Sequence, residues 1–166
     1  KNSLWEKSTR VPLIMRVPGL TKANTTITKA VSLIDIYPTL VDLCGLPSQT
    51  QKNKKGHSLD GFSMRELLEN PTAKTWKGDR PALTVVYAGE PYKDQPQMQH
   101  YAIKTDRYRY ILYNNGKEEL YDHLNDPNEW DNLIFSVKEP HRQLKNLRQE
   151  MAQMVAPIQL NGLKNK

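Results

Sequence analysis

The sequence predicts an α/β chain whose end forms a small antiparallel four-stranded sheet with a C-terminal helix. Three observations predict it. A continuous apolar run at residues 10–19 is closed by Pro-Gly, a helix-start signal stands at Ser32, and alternating strands surround Asn115-Gly116 ahead of a last helical pattern.

The elements follow in order. Val11-Pro12-Leu13-Ile14-Met15-Arg16-Val17 lacks polar alternation, which is how a buried strand of a parallel sheet reads. The rest of the chain offers no obvious parallel neighbour, so the run implies a sheet supplied from upstream. Ser32 can cap a helix, and Asp35 suits its first turn as a capping-box-like partner. Leu33, Ile36, Tyr37, Leu40, Val41 and Cys44 then share one helical face. Pro38 is expected to kink or weaken the early helix, and Gly45-Leu46-Pro47 to stop it.

Residues 48–58 are polar and read as an exposed loop, followed by a short helix from Ser63 to Leu68 ending at Asn70-Pro71. Leu83–Tyr87, Tyr101–Thr105, Tyr108–Tyr113 and Glu119–Asp122 read as strands, with a turn at Asp106-Arg107 and a tight hairpin at Asn115-Gly116. A last helix over about 138–155 carries Leu144, Leu147, Met151, Met154 and Val155 on one face, ready to pack across the sheet.

Composition sets limits. The 166 residues are 37% hydrophobic and 25% charged, with mean hydropathy −0.73, so a core is possible but much surface stays wet. No apolar run reaches the ~20 residues needed to cross a membrane as a helix, and no membrane partner is expected. The net charge of +6 and a pI near 9.3 favour anionic partners such as sulfated glycans or nucleic acid. The single cysteine, Cys44, reads as a buried, inert thiol.

Four segments carry a resemblance. They are Lys1–Ile14, with a lysine, a glutamate five residues on and then Val-Pro-Leu-Ile; Val31–Leu40 with Leu59-Asp60-Gly61; Ala102–Ile111; and Glu119-Leu120-Tyr121-Asp122 with Asp126-Pro127-Asn128-Glu129-Trp130 and Asn132-Leu133. Together, in this order, they resemble the C-terminal portion of sulfatases, most closely bacterial enzymes similar to iduronate-2-sulfatase. The resemblance implies the C-terminal part of an alkaline-phosphatase-like α/β fold. Residues 1–80 would end the catalytic domain, and 81–166 would form the antiparallel-sheet subdomain with its terminal helix.

The resemblance also implies chemistry. Sulfatases hydrolyse sulfate esters with a formylglycine, made from Cys or Ser within Cys/Ser-x-Pro-x-Arg, and a divalent metal, usually calcium, held by carboxylates. Cys44 stands in Leu-Cys-Gly-Leu-Pro, which is not that motif, and the paired metal aspartates have no counterpart here. Calcium and formylglycine are therefore expected in the full-length enzyme, no metal ligands are assigned in this segment, and the segment by itself is expected to be inactive. Lys1 matches the family lysine that touches the substrate sulfate, where an ammonium neutralises charge on the sulfuryl oxygens. His100, Tyr101 and Lys104 are the candidate substrate-binding residues at the start of the meander. The partners implied are a sulfated carbohydrate and the missing N-terminal half, and the family suggests a periplasmic, secreted or lysosomal setting.

Two other readings come from the residues alone. A non-catalytic module binding anionic glycans would use the basic surface. A nucleic-acid binder would use Tyr108-Arg109-Tyr110, but strand alternation puts both tyrosines on one face and Arg109 on the other, and no recognition motif supports it. His57 and His123 read as structural or solvent-facing, and Asn24-Thr25-Thr26 is a glycosylation sequon in a eukaryotic secretory setting.

Overall fold

The structure, a computed structural model, describes residues 3–48, 58–136 and 141–164. Lys1 and His57 lie outside the described residues. The chain divides into two compact units, one of Leu13–Arg80 and one of Lys1–Pro12 with Pro81–Lys166. Among the described residues, the regular elements in chain order are helices α1 (Glu6–Thr9), α2 (Ile36–Leu43) and α3 (Arg65–Glu69), strands β1 (Ala82–Val86), β2 (His100–Lys104), β3 (Tyr108–Leu112) and β4 (Glu118–Asp122), and helix α4 (His141–Lys164), with short 3-10 turns between some of them.

In the Leu13–Arg80 unit the Ser32 signal is realised. Ser32 and Asp35 form a reciprocal capping box around a 3-10 turn, Leu33–Asp35, that leads into α2. Asp35 is buried, and its Oδ1 accepts from the Phe62 N–H at 3.0 Å and from Arg80 at 3.3 Å. The buried Thr39 hydroxyl donates to the Asp35 carbonyl at 2.6 Å and accepts from the Met64 N–H at 2.9 Å. Polar groups thus fix the inner side of α2. Pro38 does not break the helix: it is the third residue of α2, where a backbone N–H has no acceptor within the helix.

The expected helical face is only partly buried. Val41 is buried and Ile36 packs against a cluster of Met64, Leu67 and Trp76, but Leu33, Tyr37 and Leu40 are exposed. Cys44 is exposed too, which corrects the expectation of a buried thiol. The apolar run at 11–17 likewise forms no strand, and Ile14 is 91% exposed. The reason is pairing: a strand exists only beside another, and no described residue pairs with this run.

The second unit is the four-stranded sheet, antiparallel throughout in the order β1-β2-β3-β4. Its β3–β4 turn places Gly116 at φ 79°, a conformation glycine adopts without steric cost, and the Gly116 N–H donates to the Tyr113 carbonyl at 3.0 Å. One face carries Tyr101, Ile103, Tyr110 and Leu120 and packs with Leu144, Leu147, Met151 and Val155 of α4 into one core. After β4, the Asn132 side chain accepts from the Leu120 and Ile134 N–H groups at 3.0 and 3.1 Å, pinning the loop to the sheet.

Candidate functional site

Residues paired across an antiparallel ladder share a face. The register therefore puts His100, Lys104, Arg109, Glu119 and Tyr121 on the face opposite α4. Segment Leu4–Glu6 lies on this face. Leu4 is buried among Ala102, Ile111 and Tyr121. Arg109 Nη1 donates to the Leu4 carbonyl at 2.9 Å, and its Nη2 pairs with the Glu6 carboxylate. The Glu6 N–H donates to Glu129 Oε2 at 2.8 Å. The Trp5 indole N–H donates to Glu119 Oε2 at 2.7 Å.

Glu119 is a hub: besides Trp5, the Tyr113 and Tyr121 hydroxyls donate to it, each at 3.0 Å. Burial, together with the neighbouring Glu119 charge, pushes the Tyr113 phenol up to about 12 and raises that of Tyr121 as well. Both remain neutral donors. Glu129 is the second hub, with a backbone φ of 59°, and its Oε1 lies 2.7 Å from His123 Nε2. Burial favours its neutral form, but the hydrogen bonds from His123 and the Glu6 N–H, with Arg109 close by, hold its pKa below the usual glutamate value.

Of the sequence-predicted residues, His100 and Lys104 share this face at opposite ends of β2. His100 Nδ1 accepts from the Asn114 N–H at 3.1 Å, and its ring meets Tyr113 edge-on at 5.4 Å. The Lys104 ammonium donates to the Thr105 carbonyl. Burial lowers its pKa, with Glu6 opposing that shift. Tyr101 is on the other face, in the core with α4, and its hydroxyl donates to the Pro96 carbonyl. Lys1 lies outside the described residues, three positions before Leu4.

Sequence reading missed Arg109, Glu119 and the part played by His123. Arg109 had one legible signal, an arginine at the inner position of a strand whose flanking tyrosines face the opposite side. Glu6, His123 and Glu129 form a group of potential metal ligands whose donor atoms lie within 4.8 Å of one another. The Arg109 guanidinium is paired with both glutamates, so the group is already charge-compensated and does not fit the oxygen-rich shell of calcium.

Comparison with known proteins bears on the family and the fold. The family described as N-sulphoglucosamine sulphohydrolase, C-terminal, matches residues 1–157. A sulfatase of Formosa agariphila is 35% identical over 138 residues, covering 83% of this chain and 23% of that protein. Mouse arylsulfatase K is 33% identical over 144 residues, covering 84% and 24%. Among solved structures, a protein in complex with its substrate D-glucosamine-2-N,6-O-disulfate superposes with TM-score 0.66 at 24% identity, over 95% of this chain and 29% of that one. A 2-O GAG sulfatase superposes with TM-score 0.56 at 25% identity, over 74% and 24%. The chain spans about a quarter of the length of the curated relatives it matches.

Proposed function

Because the chain belongs to the C-terminal N-sulphoglucosamine sulphohydrolase family of sulfatases, we propose that it is the C-terminal part of a sulfuric ester hydrolase acting on sulfated carbohydrate. The observation that carries the reading is one shared face. Residues Leu4–Glu6 are bound to the side of the sheet that presents His100 and Lys104, the two candidate sugar-contacting groups of this reading.

In this reading Lys1 neutralises charge on the sulfate, while Lys104 and His100 contact the anionic sugar. A glycosaminoglycan-type sugar is the substrate class, with iduronate-2-sulfate as its narrower form. Formylglycine and calcium, supplied by the part of the enzyme upstream, would provide the nucleophile and the polarising charge. Residues 1–80 would complete the catalytic α/β layer, in keeping with the unpaired run at 11–17 and the exposed stripe of Leu33, Tyr37 and Leu40. Residues 81–166 would wall one side of the pocket, and the segment by itself would not turn over substrate.

The test uses the polypeptide extended upstream to the length of its relatives. Metal-dependent hydrolysis of an aryl sulfate is expected, and Lys1→Ala should remove most of it. Full activity in that variant would end the assignment of Lys1.

A further inference from the structure

We propose that the β3–β4 turn fixes His100 as an Nε2–H donor, so that it takes an anionic oxygen of the sugar and does not act as a base; the inference rests on the reading of His100 as a sugar contact. The Asn114 backbone N–H donates to His100 Nδ1 at 3.1 Å. A backbone N–H can only donate, so Nδ1 carries the lone pair and the proton of the neutral ring sits on Nε2.

That proton is open to a ligand. Among the described residues no group bonds to Nε2, and it is not one of the buried side-chain atoms without a partner, which are Trp76 Nε1 and Arg109 Nε. A half-buried ring thus presents one accessible donor on the face opposite α4. Two neighbours resist a ring flip. Turning the ring over would set a carbon against the Asn114 N–H and strand it. The Tyr113 ring also meets it edge-on at 5.4 Å, with the Tyr113 hydroxyl tied to Glu119 at 3.0 Å. Tyr113 and Asn114 are positioning residues for His100.

The turn does not need a histidine for its own sake. Any acceptor at position 100 would satisfy the Asn114 amide, as the Asn115 side chain does for the Lys117 N–H at 3.0 Å. Histidine adds a coupling: accepting at one nitrogen makes the other a donor. The complement of such a donor is a group that only accepts, a sulfate or a carboxylate.

The test uses the polypeptide extended upstream to the length of its relatives, carrying nitrogen-15 histidine. At about pH 8, where an ordinary histidine is neutral, long-range proton–nitrogen NMR should show a bare Nδ1 and a protonated Nε2, with His100 assigned by comparison with His100→Gln. A proton on Nδ1 overturns the inference. KM for a sulfated, uronate-containing disaccharide is then measured in three variants. Gln places an amide N–H near the position of Nε2, Asn ends near Nδ1, and Ala reaches neither. The expected rise is about 3-fold for His100→Gln and about 10-fold for His100→Asn and His100→Ala. A smaller rise for His100→Asn than for His100→Gln overturns the donor assignment; should His100→Asn fail to fold, His100→Ala takes its place in that comparison. Repeating the series on a counterpart without the carboxylate separates the two acceptors, and the inference holds with either: a surviving penalty assigns the contact to sulfate, a vanished one to the carboxylate. An unchanged KM in all three variants overturns instead the reading of His100 as a sugar contact, whichever nitrogen holds the proton, and the two failures are thereby distinguished.

Discussion

Arg109 Nε lies 2.8 Å from Glu129 Oε1, and the two side chains are only 2% and 4% exposed. Nε makes no hydrogen bond despite that closeness, so the contact is an ion pair held by proximity, while the other guanidinium nitrogens serve Leu4 and Glu6. Removing the arginine would strand two carboxylates. Arg109→Met is expected to lower the unfolding free energy by about 3–5 kcal/mol, measured by denaturant titration. An unchanged midpoint would show that water compensates the glutamates.

Acid should weaken the sheet through two other pairs. The Arg107 fork donates to Asp122 at 2.7 and 2.6 Å and holds that carboxyl below its ordinary 3.8. Arg148 does the same for Glu118, below 4.5, against an opposing effect of burial. Both folded values are depressed relative to the unfolded chain. Their stabilisation is therefore fully present above the unfolded values and is lost as pH falls through the folded ones. Native protein and Arg107→Gln should differ in melting temperature at pH 7 and converge as pH falls below the ordinary aspartate value of 3.8 and through the depressed folded one. A gap of the same size at pH 7 and pH 2 would refute the role of Asp122.

Gly61 leaves no room for a side chain. A Cβ there would lie 2.1 Å from the Ile34 carbonyl oxygen, a backbone atom that cannot swing aside. Gly61→Ala should destabilise the Leu13–Arg80 unit by about 1–3 kcal/mol or more, read from the fluorescence of the buried Trp76 on denaturation. A native-like transition would mean that the Ile34–Asp35 backbone can shift without loss.

The two faces of β2 make opposite predictions for binding. In the upstream-extended polypeptide, His100→Ala and Lys104→Ala are each expected to raise KM for a sulfated disaccharide roughly tenfold, the worth of one charge-assisted hydrogen bond. Tyr101→Phe should leave KM within about twofold, because its hydroxyl serves Pro96 on the core side. A larger effect from Tyr101 than from His100 would reverse the assignment of faces.

What could be read in advance divides along physical lines. The sheet was legible because its signals are local. Alternation at Tyr108–Leu112 and the Asn115-Gly116 turn specify register without distant help, and the Ser32–Asp35 box is complete within four residues. The run at 11–17 was misread because apolar composition reports a need for partners, not their presence. Tyr37 and Leu40 show the same error on a helix, where an apolar face was equated with a buried one. For the candidate site, resemblance named His100 and Lys104 as candidates but named none of the hubs. Glu119 and Glu129 act on residues more than 100 positions away, and no local pattern encodes such a meeting.

At Glu129 the backbone and the side chain ask for different residues. A φ of 59° suits glycine, which has no carboxylate to offer Arg109, His123 and the Glu6 N–H. Aspartate tolerates the left-handed conformation better than most residues but is one methylene short of spanning the same partners. A saturation library at this position would therefore find no substitute that satisfies both demands, and the ranking of glycine against aspartate would report directly which demand the molecule weighs more heavily.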